Sequence, residues 1–81
     1  MTAKEMFEKL GYEFKKELDG FKSVIVYSKT SVSVNCFIRF YSKMFECSAE
    51  TENKILPLHI YKDELKAINR QCEELGWFDE S

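Results

Sequence analysis

Residues 12–49 read YEFKKELDGFKSVIVYSKTSVSVNCFIRFYSKMFECSA, and through most of this stretch the large apolar side chains fall on alternate positions. Strand side chains point to opposite faces with period two, so such alternation reads as pleated sheet. Asp19-Gly20 is a strong two-residue hairpin signal, because both central positions of the favoured turn need positive φ. A turn there sets Leu18 opposite Phe21, Phe14 opposite Ile25 and Tyr12 opposite Tyr27. A second turn at Lys29-Thr30 sets Tyr27 against Val32, Ile25 against Val34 and Phe21 against Ile38. A third at Ser42-Lys43 sets Phe40 against Phe45 and Ile38 against Cys47. This scheme gathers Tyr12, Phe14, Leu18, Phe21, Ile25, Tyr27, Val32, Val34, Cys36, Ile38, Phe40, Phe45 and Cys47 on one face of a four-stranded antiparallel meander. Slipping any strand by one residue would send its apolar set to the other face.

A short helix is expected on each side of the meander. Thr2-Ala3-Lys4-Glu5 has the form of a capping box, with Met6, Phe7 and Leu10 giving an apolar side to a helix over about residues 3–10. Gly11 is placed to end it. The second helix should begin near Tyr61 or Lys62, with Asp63 and Glu64 favoured in its first turn by the helix dipole. It should run to Leu75, stop at Gly76, and carry Leu65, Ile68, Cys72 and Leu75 along one side. Trp77 can then fold back on the last turn. The two helix ends, EKLGY at 8–12 and EELGW at 73–77, are alike either through duplication or through the shared physics of a glycine stop. Between the meander and the second helix, residues 55–60 are apolar but contain Pro57, which cannot donate to a central ladder, so an extended crossing segment with at most a few edge pairings is expected. Each apolar surface needs a cover, so both helices should lie on the same sheet face. The expected fold is a single α+β domain, residues 1–81, in the order α-β-β-β-β-α. Truncating Ile25 or Phe40 to alanine should cost about 2–5 kcal/mol.

The composition limits function. The chain has 81 residues, 12 basic and 14 acidic, for a formal charge of −2. That balance argues against nucleic acid as the main partner. No apolar run approaches the roughly 20 residues that span a bilayer, and no basic start followed by an apolar stretch marks a secretion signal. The expected location is the cytosol, where the thiols of Cys36, Cys47 and Cys72 would stay reduced.

Three thiols and His59 could in principle gather around a metal. No C-x-x-C spacing is present, and the expected role of the cysteines is that of small apolar packing groups. No phosphate loop, nucleophile elbow, dinucleotide fingerprint or H-E-x-x-H appears, so no catalytic residue, cofactor or metal is assigned and an enzyme is the least supported class. Lys62, Lys66 and Arg70 recur every fourth residue along the second helix and form a candidate nucleic-acid stripe, diluted by Asp63, Glu64, Glu73 and Glu74. The face of the sheet turned away from the helices carries Val24, Val26, Phe37, Arg39, Tyr41 and Met44. Phe, Tyr, Met and Arg are enriched in protein contacts, which makes this face a candidate for docking a partner or a second copy of the chain. Lysine stems lying over the valines are the plainer reading.

Two segments carry a resemblance. MTAKEMFEKLGYE at 1–13 and ELKAINRQCEELGW at 64–77 resemble the opening and ending of small proteins from phages, prophages and chromosomes of Gram-positive bacteria. That family has no assigned activity, so the resemblance implies a small accessory protein of mobile-element origin and transfers no site residue. Its members often carry threonine or a similar cap before the last helix, where this chain has Tyr61. Together these readings lead to an expected role as a cytosolic interaction module, self-associating in one version, with weak nucleic-acid binding as the alternative.

Overall fold

The structure, a computed structural model, describes residues 1–20 and 22–79. Its elements are α1 (Ala3–Lys9), β1 (Glu13–Asp19), β2 (Lys22–Ser31), β3 (Val34–Phe40), β4 (Phe45–Glu50), β5 (Ile55–Leu56) and α2 (Lys62–Glu74). The strands pair antiparallel in chain order, β1-β2-β3-β4-β5. The two helices pack on each other and share a core with one face of the sheet. The expected α+β meander is therefore present, extended by a fifth strand of two residues. Proline follows at once, and having no N–H to give to a ladder it closes that edge.

The helices start and stop as the sequence indicates. Thr2 Oγ1 accepts from the Glu5 N–H at 3.2 Å, and Glu5 Oε1 accepts from the Thr2 N–H at 2.9 Å. This reciprocal box satisfies two donors that a helix leaves open. At α2, Tyr61 occupies the cap position and its side chain caps nothing. Glu64 alone makes the return bond, accepting from the Tyr61 N–H at 3.1 Å. The two stops are the same structure. Gly11 N–H donates to Glu8 O and Tyr12 N–H to Phe7 O, while Gly76 N–H donates to Glu73 O and Trp77 N–H to Cys72 O, all at 3.0 Å. The pattern places a left-handed residue after the cap, at φ +93° in Gly11 and +76° in Gly76. Only glycine enters that region without strain.

The sheet register differs from the expected one in two hairpins. Phe14 stands opposite Tyr27 rather than Ile25, so β2 is displaced by two residues. Ile25 stands opposite Phe40 rather than Val34, a displacement of six. The second turn lies at Val32-Ser33, and Ser33 takes φ +64° although no glycine is available. The third hairpin has the expected register, with Phe40 opposite Phe45 and Ile38 opposite Cys47. Both displacements are even, so the two sets of side chains keep their faces. They do change which residues sit at the ends. Val32 falls in a turn and is exposed, and Leu18 lies beyond the reach of the helices at 80% exposure. Phe21, expected opposite Leu18 and Ile38, lies outside the described residues.

Tyr27, Phe7, Phe40 and Ile38 are the largest fully buried side chains. The Phe7 ring stacks on Tyr27 with centroids 3.9 Å apart and meets Tyr12 edge-on at 5.6 Å. Phe40 lies 6.1 Å from Tyr27 and 6.2 Å from the Trp77 ring that the α2 stop folds back. Each such side chain contributes about 1.5–3 kcal/mol by leaving water. The buried side of α2 is Ala67, Ile68, Gln71 and Cys72, which corrects the expected stripe. Leu65 and Leu75 are left exposed at its margins. Small Ala67 and hydrogen-bonded Gln71 turn toward the core because α2 must cover α1 as well as the sheet. Two long-range contacts fix that packing. Glu74 Oε2 accepts from the Ala3 N–H at 2.8 Å, and Arg70 Nε donates to the Met1 carbonyl at 3.2 Å.

Candidate interaction surfaces

The corrected register changes the surroundings of the sheet face turned away from the helices. Val26 lies between Lys15 of β1 and Arg39 of β3, and Val24 lies beside Glu17. A turn at Lys29-Thr30 would instead have set Val24 opposite Asn35 and Val26 opposite Ser33, which lie at the start of β3 and in the turn before it. Val26 is 2% exposed and Val24 is also buried, although no helix lies on this side. The long side chains on the neighbouring strands provide the cover.

Arg39 organises this face. Its guanidinium lies over the Phe37 ring at 4.4 Å from the centroid. Nη2 is 3.5 Å from Glu50 Oε2, Nη1 is 3.9 Å from Glu46 Oε1, and Nη1 donates to Ser48 Oγ at 3.3 Å. Tyr41 Oη donates to Glu46 Oε1 at 2.8 Å, and Ser48 Oγ donates to Glu50 Oε2 at 3.2 Å. Six side chains, from Phe37 to Glu50, thus contact one another over β3, the residue after it, and β4. Of the six residues expected to form a docking face, two valines are buried, and Phe37, Arg39 and Tyr41 are half-buried within or beside this network. Met44, at the hairpin tip, is the one that is plainly exposed.

The basic stripe on α2 is also altered by its neighbours. Lys62 and Lys66 are exposed. Arg70 is drawn into the molecule, 3.3 Å from Glu74 Oε2 and 3.4 Å from Glu73 Oε2, besides its bond to Met1. Its charge is largely balanced by two carboxylates, leaving a short stripe.

The cysteines and His59 are not brought to a common centre. Cys36 and Cys47 are half-buried on β3 and β4, Cys72 is buried on α2, and all three are free thiols. His59 is exposed. Among the described residues no group of three or more His, Cys, Asp or Glu side chains could hold a metal ion. Burial pushes the Cys47 and Cys72 thiols up, which makes them poor nucleophiles at neutral pH. Two tyrosines are tied to α2. Tyr12 Oη donates to the Glu64 carboxylate, and Tyr27 Oη donates to Gln71 Oε1 at 2.6 Å. Burial raises both hydroxyl pKa values, with the Glu64 carboxylate adding to the shift at Tyr12, and Tyr27 reaches about 12. Both remain protonated donors at neutral pH, suited to fastening the helix to the sheet.

Large apolar side chains are exposed along residues 55–65, with Ile55 and Leu56 on opposite faces of the sheet edge. Ile55 is 79% exposed, Tyr61 71% and Leu65 51%, with Leu56 and Ile60 also exposed. This is one continuous length of chain: β5, the extended segment after it, and the first turn of α2. Leu58 turns inward to pack against the core and anchors the ribbon. The sequence carried a signal for this site in its apolar run around Pro57, but that run also fits a buried crossing. Alternation has nothing to say about a segment that pairs over only two residues.

Comparison with protein-family models, with curated proteins and with solved structures gives no match. Among the described residues, no helix is long and apolar enough to cross a membrane.

Proposed function

We propose that this chain is a small cytosolic interaction module that works by surface contact and carries out no bond-making chemistry of its own. The observation that carries this reading is the apolar flank at residues 55–65. A monomeric surface rarely leaves several large apolar side chains exposed along one ribbon, and such patches mark protein contact sites. Tyrosine, leucine and isoleucine along this ribbon offer apolar area to a partner. The face with Arg39 is less suited to this role, because its charged groups already satisfy one another. The three free cysteines suit a reducing compartment. The resemblance of both chain ends to small phage and prophage proteins supports an accessory role in that setting.

The test is differential capture. The wild-type chain and an Ile55→Lys/Tyr61→Glu variant are used as baits in an extract of a Gram-positive host. Both substituted residues are exposed, so the two baits should melt alike. One protein retained by the wild type and lost by the variant, and then shown to bind the purified wild-type chain, supports the flank as the contact. Identical capture by both baits rules it out.

A further inference from the structure

Cys36 and Cys47 face the helix side of the sheet from neighbouring strands. Cys36 stands opposite Ala49, and two positions further along β3 Ile38 stands opposite Cys47. The Tyr41 N–H donates to Met44 O at 2.8 Å around the Ser42-Lys43 turn. Hydrogen-bonded and non-hydrogen-bonded pairs alternate along an antiparallel ladder. Counting back from Tyr41 and Met44, Phe40 with Phe45, Ile38 with Cys47 and Cys36 with Ala49 are all non-hydrogen-bonded pairs, the kind whose side chains lie closer together. The two thiols therefore occupy one diagonal of a rectangle whose other corners, Ile38 and Ala49, are apolar and buried. Both cysteines are only half-buried, so the diagonal is open to solvent in part.

The neighbours of the pair are polar. The Tyr12 hydroxyl, which donates to the Glu64 carboxylate, lies within electrostatic reach of both thiols. Lys29 stands opposite Cys36 across β2 and β3, and its ammonium lies 5.5 Å from the centroid of the Tyr12 ring. A cation thus borders the pair on one side and a carboxylate on another.

Distance decides what such a pair can do. Diagonal neighbours in a sheet are about 7–8 Å apart, with their Cβ atoms somewhat closer. A disulfide needs Cβ atoms about 3.8 Å apart, so closing one here would strain the ladder. A single metal ion between the sulfurs adds two bonds of about 2.3 Å each and spans the diagonal with the strands in place. The number of donors then selects the ion. Among the described residues no third His, Cys, Asp or Glu completes a metal-binding group. Zn(II) takes four ligands in its structural sites. Cu(I) is soft, favours thiolate sulfur and is satisfied by two of them in line.

We infer that Cys36 and Cys47 form a two-coordinate site for Cu(I). Binding displaces one proton from each thiol to solvent, and the resulting bis-thiolate complex carries one negative charge with no change of oxidation state. The Lys29 ammonium offsets that charge, and Ile38 and Ala49 offer no competing ligand. This function goes beyond the contact role proposed above and does not rest on it.

The test is anaerobic transfer of Cu(I) from its coloured bicinchoninate complex to the reduced chain. The wild type should withdraw one Cu(I) per chain and bleach the probe to that extent. Cys36→Ala and Cys47→Ala should each abolish the withdrawal. Cys72→Ala, which alters the buried thiol on α2, should keep it, and excess Zn(II) should not compete. Where a variant does not melt like the wild type, alkylation of the wild type takes its place. Bound Cu(I) should protect Cys36 and Cys47 from iodoacetamide, mapped by peptide mass, and leave the labelling of Cys72 as it was. A wild type that withdraws no Cu(I) overturns the proposal. So does a withdrawal that survives the loss of either strand thiol, that requires Cys72, that Zn(II) abolishes, or that leaves Cys36 and Cys47 open to alkylation.

Discussion

Tyr27 and Gln71 are a pair whose members are each costly alone. Gln71 is the only polar residue buried among those described, and its carbonyl is satisfied by the Tyr27 hydroxyl. Tyr27→Phe keeps the ring stack on Phe7 and orphans the amide, for an expected loss of about 1–3 kcal/mol in urea unfolding. Adding Gln71→Leu removes the stranded acceptor and should recover most of that loss. The same hydroxyl responds to pH. Its pKa is raised from 10 to about 12 in the folded chain, so the stability tied to its protonated form is intact below pH 10. It is lost as the pH climbs through 12, because the unfolded chain ionises first. The melting temperature should therefore drop between pH 10 and 12, and drop less steeply in Tyr27→Phe. An equally steep alkaline fall in both proteins would show that another group governs it.

Ser33 shows what period-two alternation can and cannot reveal about an element. In a left-handed conformation a serine carries a penalty of about 1–2 kcal/mol that glycine avoids, partly offset by the greater freedom glycine has when unfolded. Ser33→Gly should thus stabilise the chain by up to about 1 kcal/mol, read as a raised urea midpoint, whereas Gly76→Ala should destabilise it. The same residue explains the misplaced second turn. With no glycine between Gly20 and the end of β3, nothing in the sequence distinguished Lys29-Thr30 from Val32-Ser33. Alternation fixes only odd against even. The faces of Phe14, Tyr27, Ile38 and Phe40 were consequently legible, while the partners of Phe14 and Ile25 were not. Ser42-Lys43 was placed correctly because Phe40, Phe45, Arg39 and Glu46 match in both polarity and charge. The helix limits were legible because capping depends on short, local patterns. The buried side of α2 was not, since a leucine count along the helix cannot anticipate Gln71 turning inward to reach Tyr27. The candidate surface on Val24 and Val26 failed for a related reason: Val26 stands between Lys15 and Arg39 and Val24 beside Glu17, and it takes the true register to place these neighbours.

The molecule as a whole has one core, and Phe40 is its junction. Its ring is in contact range of Phe7 on α1, Tyr27 on β2, Phe45 on β4 and Trp77 beyond α2. Phe40→Ala should cost about 3–5 kcal/mol. A domain this small has a margin of similar size, so the expected outcome is a broad, uncooperative calorimetric transition. Lys15→Ala, at an exposed position, should leave the transition sharp. Ile25, half-buried at the margin of the core, should fall between them. The single core also imposes an order of assembly. The N-terminus of α1 is held by Glu74 and Arg70, and its inner face rests against α2, about seventy positions along the chain. On the ribosome, the leading helix therefore emerges with nothing to grip. Four hairpins and the extended segment after β5 must follow before its binding site exists. Until the trailing helix clears the exit tunnel, the nascent meander presents Phe40, Ile38 and Tyr27 to the solvent. Any chaperone that attends this chain should meet it in that interval and release it once the final helix docks.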